Sequence, residues 1–397
     1  MKKVVAISVV LAVTAGCNTP KVGEAKQDAY KRWYETRAQL LCGLAEEHYQ
    51  AGEMKKAKGR LNEVLSLAPE NRQGRVLLAK MHIGEGAYPL AMSILTKLDA
   101  DHPDSPEILY LLGVAQEKRG LLADALVSYR RSQELDESNP SPVIAAAEVL
   151  VSQNKLRQAQ LYVESYMSVA GSDPAMYEIA GRIAMMTEDY ATSAEHYQKA
   201  CDLDPENRCY AEALSKSLFF AGKYWEAAEK LEELTSKESA DYPAWAFTML
   251  GDCHMEMDLT NEARRSYHRA SELSPGSPGC WANLSKALLA IGDLPRAIDA
   301  ARRALRLDAN CADASILLGY AMLRDGQVPA ALAVLERAAE RHPENADLRC
   351  ILGRVHEVAG RREGARRCYS EALRIDPSND LARELLGEHV SAAIGMD

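Results

Sequence analysis

Small residues recur along this chain at a fixed spacing. Aligned on alanine, the positions are Ala57, Ala91, Ala125, Ala159, Ser193, Ala227, Ala263, Ala297, Ala331 and Ala365; eight of the nine intervals are 34 residues and one is 36. Twelve residues before each stands another small residue, in order Ala45, Ala79, Gly113, Ala147, Gly181, Ser215, Gly251, Ser285, Gly319 and Gly353. Antiparallel helices cross closely only where both lack bulk, so the paired columns predict two helices per period that meet at this contact. A period of that length marks a linear array in which each unit covers the apolar face of its neighbour.

Further columns fit the same frame. Proline stands twelve residues after the alanine at Pro69, Pro103, Pro205, Pro275, Pro343 and Pro377, where it ends the second helix. Leucine precedes the first small position at Leu44, Leu78, Leu112, Leu250, Leu284, Leu318 and Leu352, and tyrosine follows the alanine by four residues at Tyr129, Tyr197, Tyr267 and Tyr369. The columns are clearest in "LYLLGVAQEKRGLLADALVSYRRSQELD" and "MYEIAGRIAMMTEDYATSAEHYQKACDLDP". They resemble the tetratricopeptide repeat over residues 38–377, as ten consecutive units. The resemblance implies an all-α fold, a right-handed superhelical solenoid of helix-turn-helix units. Residues 378–397 are expected to form a capping helix and tail, with Leu381, Leu385 and Leu386 at helical spacing. The 36-residue interval falls in "SKESADYP", residues 236–243, and suggests a division into units one to six (38–239) and seven to ten (240–377).

The first residues carry a different signal. Lys2 and Lys3 precede an apolar run over residues 4–13 that is too short to span a bilayer, and small residues follow. The run ends in Thr14-Ala15-Gly16-Cys17, which resembles the lipobox of bacterial lipoproteins, although Thr14 replaces the usual aliphatic residue. The resemblance implies a signal peptide over 1–16, a Cys17 carrying palmitate-like acyl chains, and a tether leading into the first helix over 17–37. Asn18 is not the aspartate of an inner-membrane retention signal, so the expected site is the outer membrane, facing the periplasm.

Composition and motifs narrow the function. At 47% hydrophobic and 26% charged residues the chain has the makings of a folded protein. Its net charge of -10 argues against nucleic acid as a partner, since counterion release needs a basic footprint. "GDCHMEMDLTNEARRSYHRASELSP", residues 251–275, sets Cys253 beside His254 and adds His268. In repeat register, however, the His254 column also holds His48, His82, His356, Leu150, Leu218, Leu288 and Met322, which marks a packing position and not a metal ligand. Eight cysteines beyond Cys17 are scattered; Cys201 with Cys209 and Cys280 with Cys311 are conceivable pairs, and small packing residues are the preferred reading. Arg361, Arg362, Arg366 and Arg367 read as a solvated helix face. No catalytic constellation, cofactor motif or small-molecule substrate site is evident, so the chain is not expected to be an enzyme.

The tetratricopeptide resemblance implies binding of other proteins. Tetratricopeptide arrays bind extended segments along the concave face of their first helices, where positions two, five, nine and twelve share a stripe. The stripe and its neighbours give Tyr110, Arg182, Met185, Lys216, Phe219, Phe220, Trp245, Lys286, Tyr320 and Arg354 as the candidate peptide-binding groove. The expected function is a membrane-anchored scaffold or adaptor of the cell envelope. The alternatives are a pilotin-like assembly factor for pili or secretion machinery, and a structural subunit that uses its convex face.

Overall fold

The computed structural model describes residues 22–170, 173–236 and 242–386, and twenty α-helices are complete within them. The first helix of each repeat is α1 (Val22–Gln50), α3 (Arg72–Gly84), α5 (Pro106–Lys118), α7 (Ser141–Ser152), α9 (Pro174–Met186), α11 (Arg208–Phe220), α13 (Ala244–Glu256), α15 (Pro278–Ala290), α17 (Ala312–Arg324) and α19 (Ala346–Val358). The second is α2 (Met54–Leu67), α4 (Tyr88–Asp101), α6 (Leu122–Leu135), α8 (Leu156–Ala170), α10 (Tyr190–Leu203), α12 (Tyr224–Ser236), α14 (Thr260–Leu273), α16 (Leu294–Leu307), α18 (Val328–Arg341) and α20 (Arg362–Ile375). The chain is therefore the all-α array of ten helix pairs that its period predicts. Its described residues form two compact segments, one ending at Ala170 and the other following it. Within each, contacts run mainly between successive helices and between successive first helices, the pattern of a repeat array.

The paired small columns work through volume complementarity. A Cβ placed on Gly113, Gly251 or Gly353 would lie 2.5 to 2.6 Å from the ring of Tyr129, Tyr267 or Tyr369, sixteen residues later, and on Gly181 it would lie 2.9 Å from Tyr197. Gly319 meets Leu335 in the same way, at 2.5 Å. Where the small residue is Ala or Ser, the facing side chain shrinks to the buried Leu61, Leu95, Val163, Leu231 or Ala301. In four of these five pairs glycine makes room for an aromatic ring that seals the helix pair, and in the fifth for leucine. Ser193 replaces alanine without a buried orphan, because its hydroxyl donates to the Gly181 carbonyl at 2.9 Å and meets the Ser217 hydroxyl at 2.9 Å.

Each first helix ends in the same left-handed turn. Gly52, Gly86, Gly120, Gly222, Gly292, Gly326 and Gly360 have φ between 74° and 82°, and in the other three repeats Asn154, Glu188 and Asp258 hold φ of 56°, 61° and 59°. The following N–H donates back to the carbonyl five residues earlier in every repeat, as in Glu53 to His48 at 2.8 Å and Leu259 to His254 at 2.8 Å. This closes the helix as a Schellman motif. Between repeats, Pro69, Pro205, Pro275, Pro343 and Pro377 occupy the second position of turns closed by bonds such as Asn71 N–H to Ala68 O at 3.0 Å. Asn71, Asn207 and Asn345 then cap the next helix.

The segment boundary lies at the join of the fourth and fifth repeats, two repeats before the 36-residue interval. Residues 237–241 of that interval lie outside the described residues, but one apolar cluster includes Leu231 and Leu234 of α12 together with Ala246, Leu250 and Cys253 of α13. At the C-terminal end residues 380–386 are helical. Ala382 and Leu385 are buried on the tenth repeat, whereas Leu381 is 49% exposed. The rest of the expected cap lies outside the described residues.

Candidate functional site

Side chains three and four apart on a helix share a face, and on the first helices that face lines open concavities. In the first segment, Cys42 and Glu46 of α1, Val76 and Lys80 of α3, and Glu107 of α5 border about 750 Å³. Lys80 Nζ lies 2.9 Å from Glu107 and 3.8 Å from Glu46, so one ammonium ties three successive first helices together. Burial pulls its pKa down, but the Glu107 hydrogen bond and the two carboxylate charges outweigh this and hold it above the ordinary lysine value.

In the second segment, Lys216, Trp245, Thr248, Asp252 and Asn283 line about 550 Å³. Ala282, Lys286, Ile316 and Ile351 line a further 520 Å³ one repeat on. The Lys216 ammonium sits 4.4 Å from the centroid of the Trp245 ring. Asp252 accepts the Tyr267 hydroxyl at 2.7 Å, and burial raises its carboxyl pKa against that bond and the nearby Lys286 charge. An apolar ring flanked by charges of both signs suits a chain that offers an apolar anchor and polar groups beside it.

The sequence-derived candidates separate into groups. Lys216 and Trp245 come together in one concavity, and Lys286 lines the next. Tyr110 is half-buried and packs on Tyr129 of its own repeat with ring centroids 5.8 Å apart, beside a cluster that includes Ala146 and Val149 of α7, so it belongs to the core packing as much as to the surface. Phe219 and Phe220 form a ring cluster with Tyr224 and Tyr190 at the helix turns, with centroid separations of 5.3 to 5.5 Å. Phe220, 53% exposed, thus leans on a second helix. Arg182 is half-buried 3.7 Å from Glu178, Met185 is half-buried, Tyr320 is 38% exposed, and Arg354 bonds Glu357 of its own helix at 3.1 Å. Cys17 lies outside the described residues. Thr248 and Trp281 were not singled out; Thr248 sits at position five of its helix, so the stripe rule reaches it, while Trp281, at position four, falls off the stripe.

His254 is a core residue. Its Nδ1 is 3.4 Å from Ser266 Oγ, its Nε2 is 3.7 Å from Glu232, and burial lowers its pKa. His268 is exposed beside Glu272 at 3.5 Å. Among the described residues no group of three or more His, Cys, Asp or Glu side chains is placed to hold a metal. The eight cysteines from Cys42 to Cys368 are free thiols, five of them buried, and burial pushes Cys253 up to about 12 and Cys201, Cys350 and Cys368 up to about 11. Such thiols are poor nucleophiles at neutral pH. Among the described residues no helix is long and apolar enough to cross a membrane.

Models of one repeat family match most of the chain. One family model, described as Tetratricopeptide repeat, matches residues 95–140, 144–208, 248–311, 282–346 and 316–380, and a second of the same description matches 48–115. A DnaJ homolog subfamily C member 7 homolog of Dictyostelium discoideum is 21% identical over 234 residues, 58% of this chain and 39% of that protein. Human Tetratricopeptide repeat protein 13 is 25% identical over 170 residues, 42% of this chain and 20% of that protein. The chain thus spans well under half of either relative. The crystal structure of the APC/C hetero-tetramer Cut9-Hcn1 aligns over 89% of this chain and 76% of that one, at 15% identity and a TM-score of 0.46. Matched by the family over most of its length and built from its helix pair throughout, the chain belongs to the tetratricopeptide repeat family.

Proposed function

We propose that this protein is a non-catalytic interaction scaffold held at a bacterial envelope membrane by acyl chains on Cys17, and that it binds extended segments of partner proteins along its first helices. The observation that carries the binding reading is the Lys216–Trp245 pair, an aromatic face and a cation brought together at the rim of an open concavity. Aromatic anchors bordered by charge concentrate binding energy in protein interfaces. The anchoring reading rests on Lys2, Lys3, the apolar run after them and the Thr14-Ala15-Gly16-Cys17 sequence. Several acyl chains give a stable anchor where one is marginal, and outer-membrane placement facing the periplasm follows from Asn18.

Two variants test the two halves separately. Cys17→Ala is expected to abolish palmitate labelling and release the protein from membranes while leaving its helicity intact. Trp245→Ala is expected to leave labelling unchanged and to lose the proteins that cross-link to the wild type. A labelled Cys17→Ala chain defeats the anchor, and an unchanged cross-linked set defeats the groove.

A further inference from the structure

We infer that the second segment carries an additional docking site, set between the second helices α14 and α16, for an acidic segment of a protein. An open concavity of about 580 Å³ lies there, with Arg264 on one wall, Arg296, Arg303 and Arg306 on the other, and Trp281 of α15 in its floor. Four guanidinium groups face one lining carboxylate, Asp299, and that carboxylate is shared with Arg302, 3.9 Å away and outside the lining. The local charge is thus opposite to the net -10 of the whole chain.

The arginines are not used up by internal pairing. Elsewhere on the second helices some arginines meet a carboxylate three residues away, as Arg60 with Glu63 of α2 at 2.9 Å and, on α14 outside the concavity, Arg269 with Glu272 at 3.1 Å. In the concavity only Arg296 does so, with Asp293 at 3.3 Å. Arg303 lies over the Trp281 ring, 4.5 Å from its centroid, and the ring is fixed by its Nε1 donating to the Pro275 carbonyl at 3.0 Å. Arg264 is half-buried and Arg306 exposed, and neither has an acceptor among the described residues. Guanidinium forks placed around a ring in this way match carboxylates bidentately.

An acidic peptide fits better than a long polyanion. The field of a net-negative chain opposes nucleic acid at a distance, while a short segment meets only the local charge. The floor of Trp281 with Leu284 and Leu288 offers an apolar surface to a side chain between the carboxylates, which inorganic phosphate cannot use. This site lies on the second-helix side and does not depend on the Lys216–Trp245 groove.

The test is fluorescence anisotropy of the full chain with a short labelled peptide of Glu, Asp and Leu, its Lys-for-acid counterpart, and inorganic phosphate as competitor. The acidic peptide is expected to bind in a salt-sensitive manner, and Arg264→Gln with Arg303→Gln to weaken it by about tenfold or more. Arg264→Gln alone, which disturbs no internal contact, is expected to weaken it severalfold, and Arg337→Gln on α18 and Trp245→Ala to leave it unchanged. Far-UV circular dichroism and melting curves confirm the folds. Equal binding by the Arg264→Gln variant, equal binding of the Lys peptide, or phosphate that binds while the peptide does not overturns the assignment. So does a concentration-dependent dimer lost in the same variant, which gives the site to a second copy of the chain.

Discussion

The Tyr267 hydroxyl donates to Asp252 across the helix pair of the seventh repeat, at 2.7 Å, while the same ring fills the space left by Gly251. One side chain thus closes the steric gap and satisfies a half-buried carboxylate. Tyr267→Phe keeps the ring and removes the bond, and is expected to cost about 1.5–3 kcal/mol, the usual worth of a hydrogen bond to a charged group. Gly251→Ala keeps the bond but drives a Cβ to 2.5 Å from the ring, and is expected to cost about 1–3 kcal/mol through overpacking. Gly59→Ala supplies the opposite sign, since its Cβ meets nothing within 4 Å on the exposed face of α2, and is expected to stabilise by about 0.5–1 kcal/mol. Denaturant titration of the three variants reads all of these.

Glu188 occupies a turn position where seven other repeats place glycine, with φ at 61°. A side chain there costs about 1–3 kcal/mol of backbone strain, while glycine gives back under about 1 kcal/mol in unfolded-chain entropy. Glu188→Gly is therefore expected to raise the melting temperature, and Gly222→Ala, at φ 74° in the next repeat, to lower it. A melting temperature lowered by Glu188→Gly contradicts the shared-turn reading.

Acidification is expected to weaken the second segment through the buried His254 and the half-buried His356. Burial lowers the His254 pKa below the ordinary 6.5, against the charges of Glu232 and Glu262. His356 is lowered likewise by burial, opposed by Glu336 and aided by Arg361 and Arg367. Below 6.5 the unfolded chain takes up protons that the folded chain resists, so stability present above that value is lost as pH falls through the depressed folded pKa. Asp252 acts in the reverse sense, but its window opens at the ordinary aspartate value of 3.8 and extends upward only to its raised folded pKa. Melting curves between about pH 7 and pH 5 are expected to fall, and His254→Leu, which adopts the residue of Leu150, Leu218 and Leu288, to reduce that fall. A pH slope unchanged by the substitution contradicts it.

Much of this architecture is legible in the sequence because the contacts that build it are steric and local. The small columns mark where helices touch, and Tyr129, Tyr197, Tyr267 and Tyr369 stand sixteen residues after glycine and nowhere after alanine or serine in the same column. That coupling was available from spacing alone, but it acquires meaning only once the ring is seen in the gap. The turn at Glu188 was hidden, since only its register with glycine points to a left-handed backbone, whereas Asn154 and Asp258 are residue types that enter that region readily. Surface assignments were harder. Lys216 and Trp245 meet as the helical stripe suggests, whereas Tyr110 packs on the column tyrosine Tyr129 of its own repeat and Phe220 on Tyr190, a ring of the preceding repeat that periodicity does not place. The Trp281–Arg303 stack joins the two helices of one repeat, and neither helix's own pattern shows it.

The most direct measurement is site-specific photo-cross-linking in cells, with the reactive side chain placed at Thr248 in the first-helix concavity or at Glu229 on the exposed face of α12. Binding along the first helices predicts discrete partner adducts from position 248 that disappear with Trp245→Ala, and none from position 229. Adducts from position 229 with none from 248 would contradict it.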